Sequence, residues 1–228
     1  MRALLALVLC LPLLACGRPL TEAEAGYMAD LAGGSFAAAP VRIARTPLIG
    51  LVTRSYPARP QVTCRERIWP PPDGPTIEAR TAGIVLFQTM WVRPAFWLPD
   101  YVAGREGRRS LAAAMFFAHE MVHVWQWQNR AVTGYHPARA FAEHVRFEDP
   151  YLFDPHDARR FLDYGYEVQA SLVEEYVCCR ALDPGGARTA RLERLIGQVM
   201  PVTPLQSRAD RVSEIPPWEG ADLAGICA

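Results

Sequence analysis

Between Ser110 and Gly134 the chain runs for about twenty residues without glycine or proline, LAAAMFFAHEMVHVWQWQNR, and is apolar almost all the way round. Ser110 is a suitable N-cap for a helix here. A helix of this character is stable only inside a core. Yet it carries His119, Glu120 and His123. Burying a charge without a partner costs several kcal/mol, and a metal cation is one partner that would serve all three groups. Helical residues four apart lie one above the other, so both imidazoles face the same way and can share one ion. Glu120 is about 100 degrees further round, placed to reach a metal-bound water without being a ligand itself. With five histidines and fourteen glutamates, a chance match to this pattern should arise roughly 0.007 times. The competing reading, two core histidines each satisfied by a hydrogen bond, must explain the carboxylate separately.

A metal ion needs a third ligand. After His123 the chain reads VWQWQN, with Gln126 and Asn129 where a metzincin would have glycine and histidine, so that class is excluded. The alternative is a carboxylate from a second helix, and Asp163, Glu167, Glu174 and Glu175 are available. Glu167 in YGYEVQAS is preferred, because small Ala170 and Ser171 one turn on let two helices approach. Glu174 is the runner-up, on the same face and about 10 Å away along the axis. Whichever of the two is not the ligand can hold a histidine nitrogen. For a second polar donor, His136, His144, His156, Tyr164 and Tyr166 are candidates; His144 and Tyr166 are preferred. Each of these histidines taken singly reads first as a surface or loop residue.

The N-terminus bears on location. One arginine precedes an apolar run from Ala3 to Ala15, too short to span a membrane and suited to an export signal. The run ends in LLAC, which resembles the lipobox of bacterial lipoproteins. The resemblance implies a signal peptide over residues 1–15, lipidation of Cys16, a short tether over 16–20, and a mature protein anchored to a membrane of the bacterial envelope, in the periplasm. The other reading is an ordinary signal peptide cut elsewhere. Outside the cytoplasm, Cys64, Cys178, Cys179 and Cys227 can form disulfides; three pairings are possible and the sequence does not choose among them. Bonds from the adjacent pair Cys178–Cys179 to Cys64 and Cys227 would staple an early loop and the tail to one helix. A structural zinc site on these cysteines ranks lower, for lack of the usual ligand spacing. Arginine supplies all 24 basic residues, balanced by 24 acidic ones, and no basic stripe suited to nucleic acid is present.

Elsewhere, Thr21 and Glu24 form a capping-box pattern before a short helix that Gly33–Gly34 would end. PVRIAR reads as a strand, Pro57 to Pro75 as mostly loop, and Thr76 to Met90 as β structure. Residues 131 to 156 form a connector with one short helix around Ala138–Val145. Asp157 is expected to cap a long helix through Leu182, with Gly165 inside it, and another helix is expected over Ala187 to Val199.

The segments AHEMVHVWQ and YEVQA, 44 residues apart from His123 to Glu167, resemble the zincins with a glutamate ligand, the gluzincins. More narrowly they resemble the metallopeptidase domain of bacterial proteins associated with extracellular contractile injection systems; LTEAEAGYMADLAGGSF and PVRIAR resemble its start. The resemblance implies an α+β, mainly helical zincin-like domain over residues 21–228, with a small β-sheet beside the HExxH helix and a C-terminal extension. It implies Zn2+ held by His119, His123 and Glu167, Glu120 as catalytic base, and a peptide or protein substrate. Gln126 stands at a glutamine of that family. The second-helix motif is ExxA, shorter than the NExxSD of thermolysin-like enzymes. A different class of function is a non-catalytic envelope lipoprotein that keeps the scaffold, with zinc structural or partner-binding.

Overall fold

Thr21 starts the first helix, α1 (Glu22–Ala32), and the capping box is formed in both directions: the Thr21 hydroxyl accepts from the Glu24 amide at 3.1 Å, and the Glu24 carboxylate accepts from the Thr21 amide at 3.0 Å. Glu24 is fully buried, and Arg18 supplies its counter-charge. The structure, a computed structural model, describes residues 17–106, 108–203, 213–216 and 218–228. Cys16, the signal peptide and the lipidation reading lie outside the described residues.

After α1 come β1 (Arg42–Arg45), β2 (Thr53–Pro57), a one-turn helix α2 (Cys64–Arg67), and three strands β3 (Thr76–Arg80), β4 (Gly83–Leu86) and β5 (Thr89–Val92). The segment expected to be mostly loop thus contains one helical turn. The β-rich stretch is divided between two sheets: β2 and β3 form an antiparallel ribbon, while the other sheet has the order β1-β5-β4. In the latter, β1 runs parallel to β5 and β4 antiparallel to it, so β4 is an outer strand. At the β4–β5 turn Phe87 has φ 59, an uncommon left-handed conformation for a bulky residue, and its ring packs edge-on against Trp127 at 4.7 Å.

Next are β6 (Arg108–Ser110) and the central helix α3 (Leu111–Gln128), whose Ala113 amide is capped by the Ser110 hydroxyl. One turn, α4 (Arg130–Thr133), and a short helix, α5 (Pro137–Arg146), lead to α6 (Tyr166–Leu182) and α7 (Ala187–Ile196). A last strand, β7 (Ser213–Ile215), pairs parallel with β6. The architecture is mixed α+β and predominantly helical, with small sheets. Buried Phe117, Met121 and Val122 of α3 and Val173, Tyr176 and Val177 of α6 belong to one core.

One expected boundary is wrong. Asp157 does not cap the long helix; its carboxylate is turned back onto Arg159, and Gly165 is the N-cap of α6 rather than an interior residue. The cap comes from another helix: the two carboxylate oxygens of Glu143 on α5 accept from the Tyr166 and Glu167 amides at 2.9 and 3.1 Å. A negative group at that end also complements the helix dipole.

Adjacent cysteines on α6 point in different directions and hold two distant segments, through Cys64–Cys178 and Cys179–Cys227. Buried Glu175 reinforces the first link by accepting from the Cys64 and Arg65 amides at 2.9 and 3.0 Å, with Arg188 as its ion partner. Among the described residues no helix is long and apolar enough to cross a membrane.

The Cys64–Cys178 bridge spans 114 residues. Replacing both cysteines by serine should lower the unfolding free energy by about 2–5 kcal/mol, read from guanidinium denaturation. An unchanged midpoint would show that the crosslink contributes no stability.

Candidate metal centre

His119 and His123 occupy one face of α3, with ring centroids 5.2 Å apart. Opposite them Glu167 enters from the first turn of α6, where buried Ala170 and Ser171 keep the helix surface low. The two Nε2 atoms lie 3.4 and 3.3 Å from the same carboxylate oxygen, Oε2 of Glu167. All three residues are nearly removed from solvent.

The other ring nitrogens are held as well. His123 Nδ1 lies 2.9 Å from Gln126 Oε1. The Gln126 amide nitrogen donates to the Tyr166 carbonyl and to Gln169 Oε1, each at 3.0 Å, and Gln169 donates to the Tyr164 carbonyl. Because both partners of the Gln126 amide nitrogen are acceptors, its oxygen faces the imidazole, and Nδ1 is the donor. That leaves the Nε2 lone pair for the cluster. His119 Nδ1 is held in the same sense by Glu174 Oε2 at 3.3 Å, and Glu174 is held by Arg65 at 3.1 Å. The second oxygen of Glu167 contacts His144 Nε2 at 3.0 Å. Such outer partners orient metal ligands and raise their basicity.

Electrostatically the cluster favours positive charge. Burial opposes ionisation of His119, but Glu167 and Glu174 outweigh it and push its pKa up to about 10. For His123 burial is likewise outweighed, chiefly by Glu167, and its pKa is raised. Glu167 is held well below the ordinary carboxylate value, since His123 and the hydrogen bonds from the imidazoles overcome the effect of burial. Glu120 behaves oppositely: burial raises its pKa despite the adjacent histidines. Three carboxylates around two imidazoles form a site that either protons or a cation can neutralise.

Glu120 is buried beside the cluster, against Gly83 of the outer strand. A cavity of about 220 Å³ opens over it, bordered by Ile84 to Leu86 on one side and by His144 and Phe141 on the other. Of the carboxylates considered as third ligand, Glu167 meets both Nε2 atoms, Glu174 holds His119 from behind, Glu175 serves the disulfide region, and Asp163 pairs with Arg160. His144 is brought to the cluster. Tyr166 is not: its hydroxyl donates to the Gly134 carbonyl at 2.9 Å, and its ring packs against Tyr135. His136 caps α5, and Tyr164 lies under Arg159.

Sequence reasoning missed two residues that line the cavity, Tyr135 and Tyr151. Tyr135 packs on the His123 ring at 6.1 Å, and Tyr151 lies 5.8 Å from His119 and 5.5 Å from His144. Burial and the charge of Glu167 raise both phenol pKa values, so each keeps its proton and is available as a donor. Both lie in the connector around α5, where no periodicity marks them.

Among the described residues two side-chain groups have ligand atoms close enough for a metal ion: His119, His123 and Glu167, and Cys64, Cys179 and Cys227. The sulfurs of the second group are committed to disulfides. The donor set of the first, two imidazoles and a carboxylate with each Nδ1 independently held, fits a zinc ion.

No protein-family model and no curated protein sequence matches this chain. Among solved structures, the effector domain of Pseudomonas aeruginosa VgrG2b is similar, at 18% identity and a TM-score of 0.48, covering 81% of this chain and 84% of that one. It is a remote likeness.

Gln126→Leu removes the acceptor at His123 Nδ1 without touching a ligand, and should weaken zinc affinity by about 10–100-fold, measured by chelator competition with folding checked by circular dichroism. Unchanged affinity would show that the hydrogen bond plays no part in orienting the ring. A metal ion taken up by this cluster would compete with protons at Nε2. Since the His119 pKa is raised to about 10, affinity should strengthen as pH rises from about 6 toward 10, by about tenfold per unit for each proton displaced. Glu167, its pKa lowered, is ionised throughout that window and adds no slope. A flat profile would contradict this coupling.

Proposed function

We propose that this chain is a zinc-dependent peptidase of the gluzincin type, with His119, His123 and Glu167 as metal ligands and Glu120 as general base. The observation that carries the reading is the convergence of two imidazole Nε2 atoms on one oxygen of Glu167, at 3.4 and 3.3 Å, with a separate partner behind each ring. A structural zinc site fills four positions with protein groups, whereas a catalytic one keeps a position open. Here three groups converge, His144 is engaged with the other Glu167 oxygen, and a cavity faces the cluster. That arrangement favours the enzyme over the non-catalytic scaffold.

Zinc, when bound, would supply a polarised carbonyl and a more acidic water. The protein groups do the rest. Glu120, its pKa raised by burial, accepts the proton of the attacking water and passes it to the leaving amine. Tyr135 and Tyr151 are protonated donors beside the ligands, suited to the developing oxyanion. His144 steadies Glu167. Among the described residues one edge of β4 has no strand partner; β4 borders the cavity and offers backbone groups to an extended peptide. Two disulfides are consistent with an oxidising compartment, which accords with export and with lipid attachment at Cys16 to the bacterial envelope.

Elemental mass spectrometry on the chain from Arg18 onward should find one zinc per protein, lost in His119→Ala and Glu167→Ala and retained in Glu174→Ala. Glu120→Gln should keep the zinc and cut peptide hydrolysis by about 10²–10⁴-fold. A folded, zinc-supplied protein without the metal would sink the proposal. Zinc bound with hydrolysis indifferent to Glu120 would remove the general base.

A further inference from the structure

The residues that join β1 to β2 read PLIGLV, Pro47 to Val52, a run without a polar side chain. They do not fold back onto the core. Leu48, Leu51 and Val52 are exposed at 72%, 73% and 69%. A single exposed leucine is ordinary, but a contiguous apolar run held in water marks a contact surface.

The exposure is built into the loop. The Thr46 amide donates to the Val92 carbonyl at 2.9 Å, and the Leu48 amide to the Thr46 hydroxyl at 3.2 Å. Gly50 has φ 70 and lies close against the Thr81 carbonyl and the Arg93 side chain; a Cβ there would come within 2.6 and 2.9 Å of them. The main chain is thus pinned to the body at Gly50, while the large side chains on either side of it stay in solvent.

Two features say what covers the loop. The first is charge. From Leu31 to Arg65 the sequence has five arginines and no carboxylate. Arg59 is paired with Asp149, and Arg65 with Glu66 and Glu174. Arg45 and Arg54, one on each side of the loop, are exposed and make no ion pair among the described residues; Arg54 donates to the His144 carbonyl. Glu78, opposite Ser55, is the carboxylate that register brings to the β2–β3 ribbon. An exposed apolar segment between unpaired arginines combines the two attractions of an anionic bilayer surface, apolar burial and headgroup charge.

The second feature is where the chain outside the described residues attaches. Gly17 packs on the Ile43 backbone, and Arg18 exchanges both main-chain hydrogen bonds with Ile43, at 2.9 and 2.8 Å. The Arg18 side chain is tied to buried Glu24. Residues 17 and 18 therefore belong to the edge of the sheet and provide no slack. A lipid on Cys16, the expectation from the sequence, would begin beside β1, the strand that leads into the loop. Ile43 to Pro47 is about 13 Å of extended chain.

We propose that loop 47–52 is a lipid-contacting loop, with Leu48, Leu51 and Val52 entering the interfacial region of an anionic bilayer and Arg45 and Arg54 at the headgroups. The proposal is independent of the metal-site reading. Thr81, on which Gly50 rests, also lines the metal-site cavity, so docking in this way holds that end of the cavity close to the lipid surface.

The chain from Arg18 onward contains every helix and strand described above and lacks Cys16, so its sedimentation with vesicles reports the loop alone. It should partition onto vesicles of phosphatidylethanolamine and phosphatidylglycerol. Replacing Leu48, Leu51 and Val52 together by serine should lower the partition coefficient by about tenfold or more. Val132→Ser, which removes an apolar group of similar exposure (71%) on α4, should leave it unchanged. Unfolding midpoints serve as the control for folding. No partitioning of the unsubstituted chain, or partitioning that the triple serine variant retains, would overturn the proposal. Equal binding to phosphatidylcholine vesicles would overturn the part given to the arginines. A dimer in solution that the serine substitutions dissociate, without vesicle binding, would assign the loop to a second copy of the chain instead.

Discussion

The contact on which the rest of the site depends is the Glu167 carboxylate lying between two imidazoles of a facing helix. It puts ionisable groups at the seam of the two longest helices, where they are affordable only if each has a partner. The surroundings supply those partners in sequence: Gln126 behind His123, Glu174 and Arg65 behind His119, His144 beside Glu167. Glu167 sits in the first turn of α6, whose free amides are satisfied from outside by Glu143. One short helix, α5, thus fixes Glu167 twice, through the Glu143 cap and through His144. Displacing α5 would loosen the carboxylate and uncap the helix that carries it.

Stability and chemistry draw on the same residues of α6. One of its faces meets α3 at the metal cluster, and Cys178 and Cys179 crosslink it to α2 and to the tail. The residues between Glu167 and Cys179 are almost continuously buried, including Glu175. A helix with so little free surface cannot rotate to relieve strain at one end. Glu167 is therefore held from both directions: by the Glu143 cap at the amino end of α6 and by the two disulfides at its carboxyl end. This rigidity suits a site whose geometry must be maintained to a fraction of an ångström.

What could be read from the sequence was local. The Thr21–Glu24 box, the Ser110 cap and the i, i+4 histidines each follow from spacing within a turn or two of helix. Glu167 and Glu174 stand out as the two candidates because they share a face two turns apart, and they meet different histidine nitrogens: Glu167 the two Nε2 atoms, Glu174 the Nδ1 of His119. What escaped was non-local. The start of α6 is set by a carboxylate 23 residues upstream, so Asp157, a good cap by type, is not its cap. Tyr135 and Tyr151 enter the cavity because α5 folds between them, and no residue pattern carries that information. The disulfide pairing was open for the same reason: it is decided by where α2 and the tail come to rest on α6.

A missing side chain lets Glu120 lie close against the outer strand. A Cβ at Gly83 would come within 2.8 Å of Glu120 Oε1 and 2.9 Å of the Phe116 ring, closer than packed atoms allow. The outer strand and the Glu120 and Phe116 side chains take these positions together because residue 83 has no side chain. Any larger residue there would push β4 outward, or turn Glu120 away from the cluster, or both. The sheet edge and the carboxylate are consequently one geometric unit: the same close approach that aims Glu120 also places the backbone of β4 beside the ligands. A side chain at residue 83 would therefore leave His119, His123 and Glu167 in place while displacing either the Glu120 carboxylate or the β4 backbone beside it.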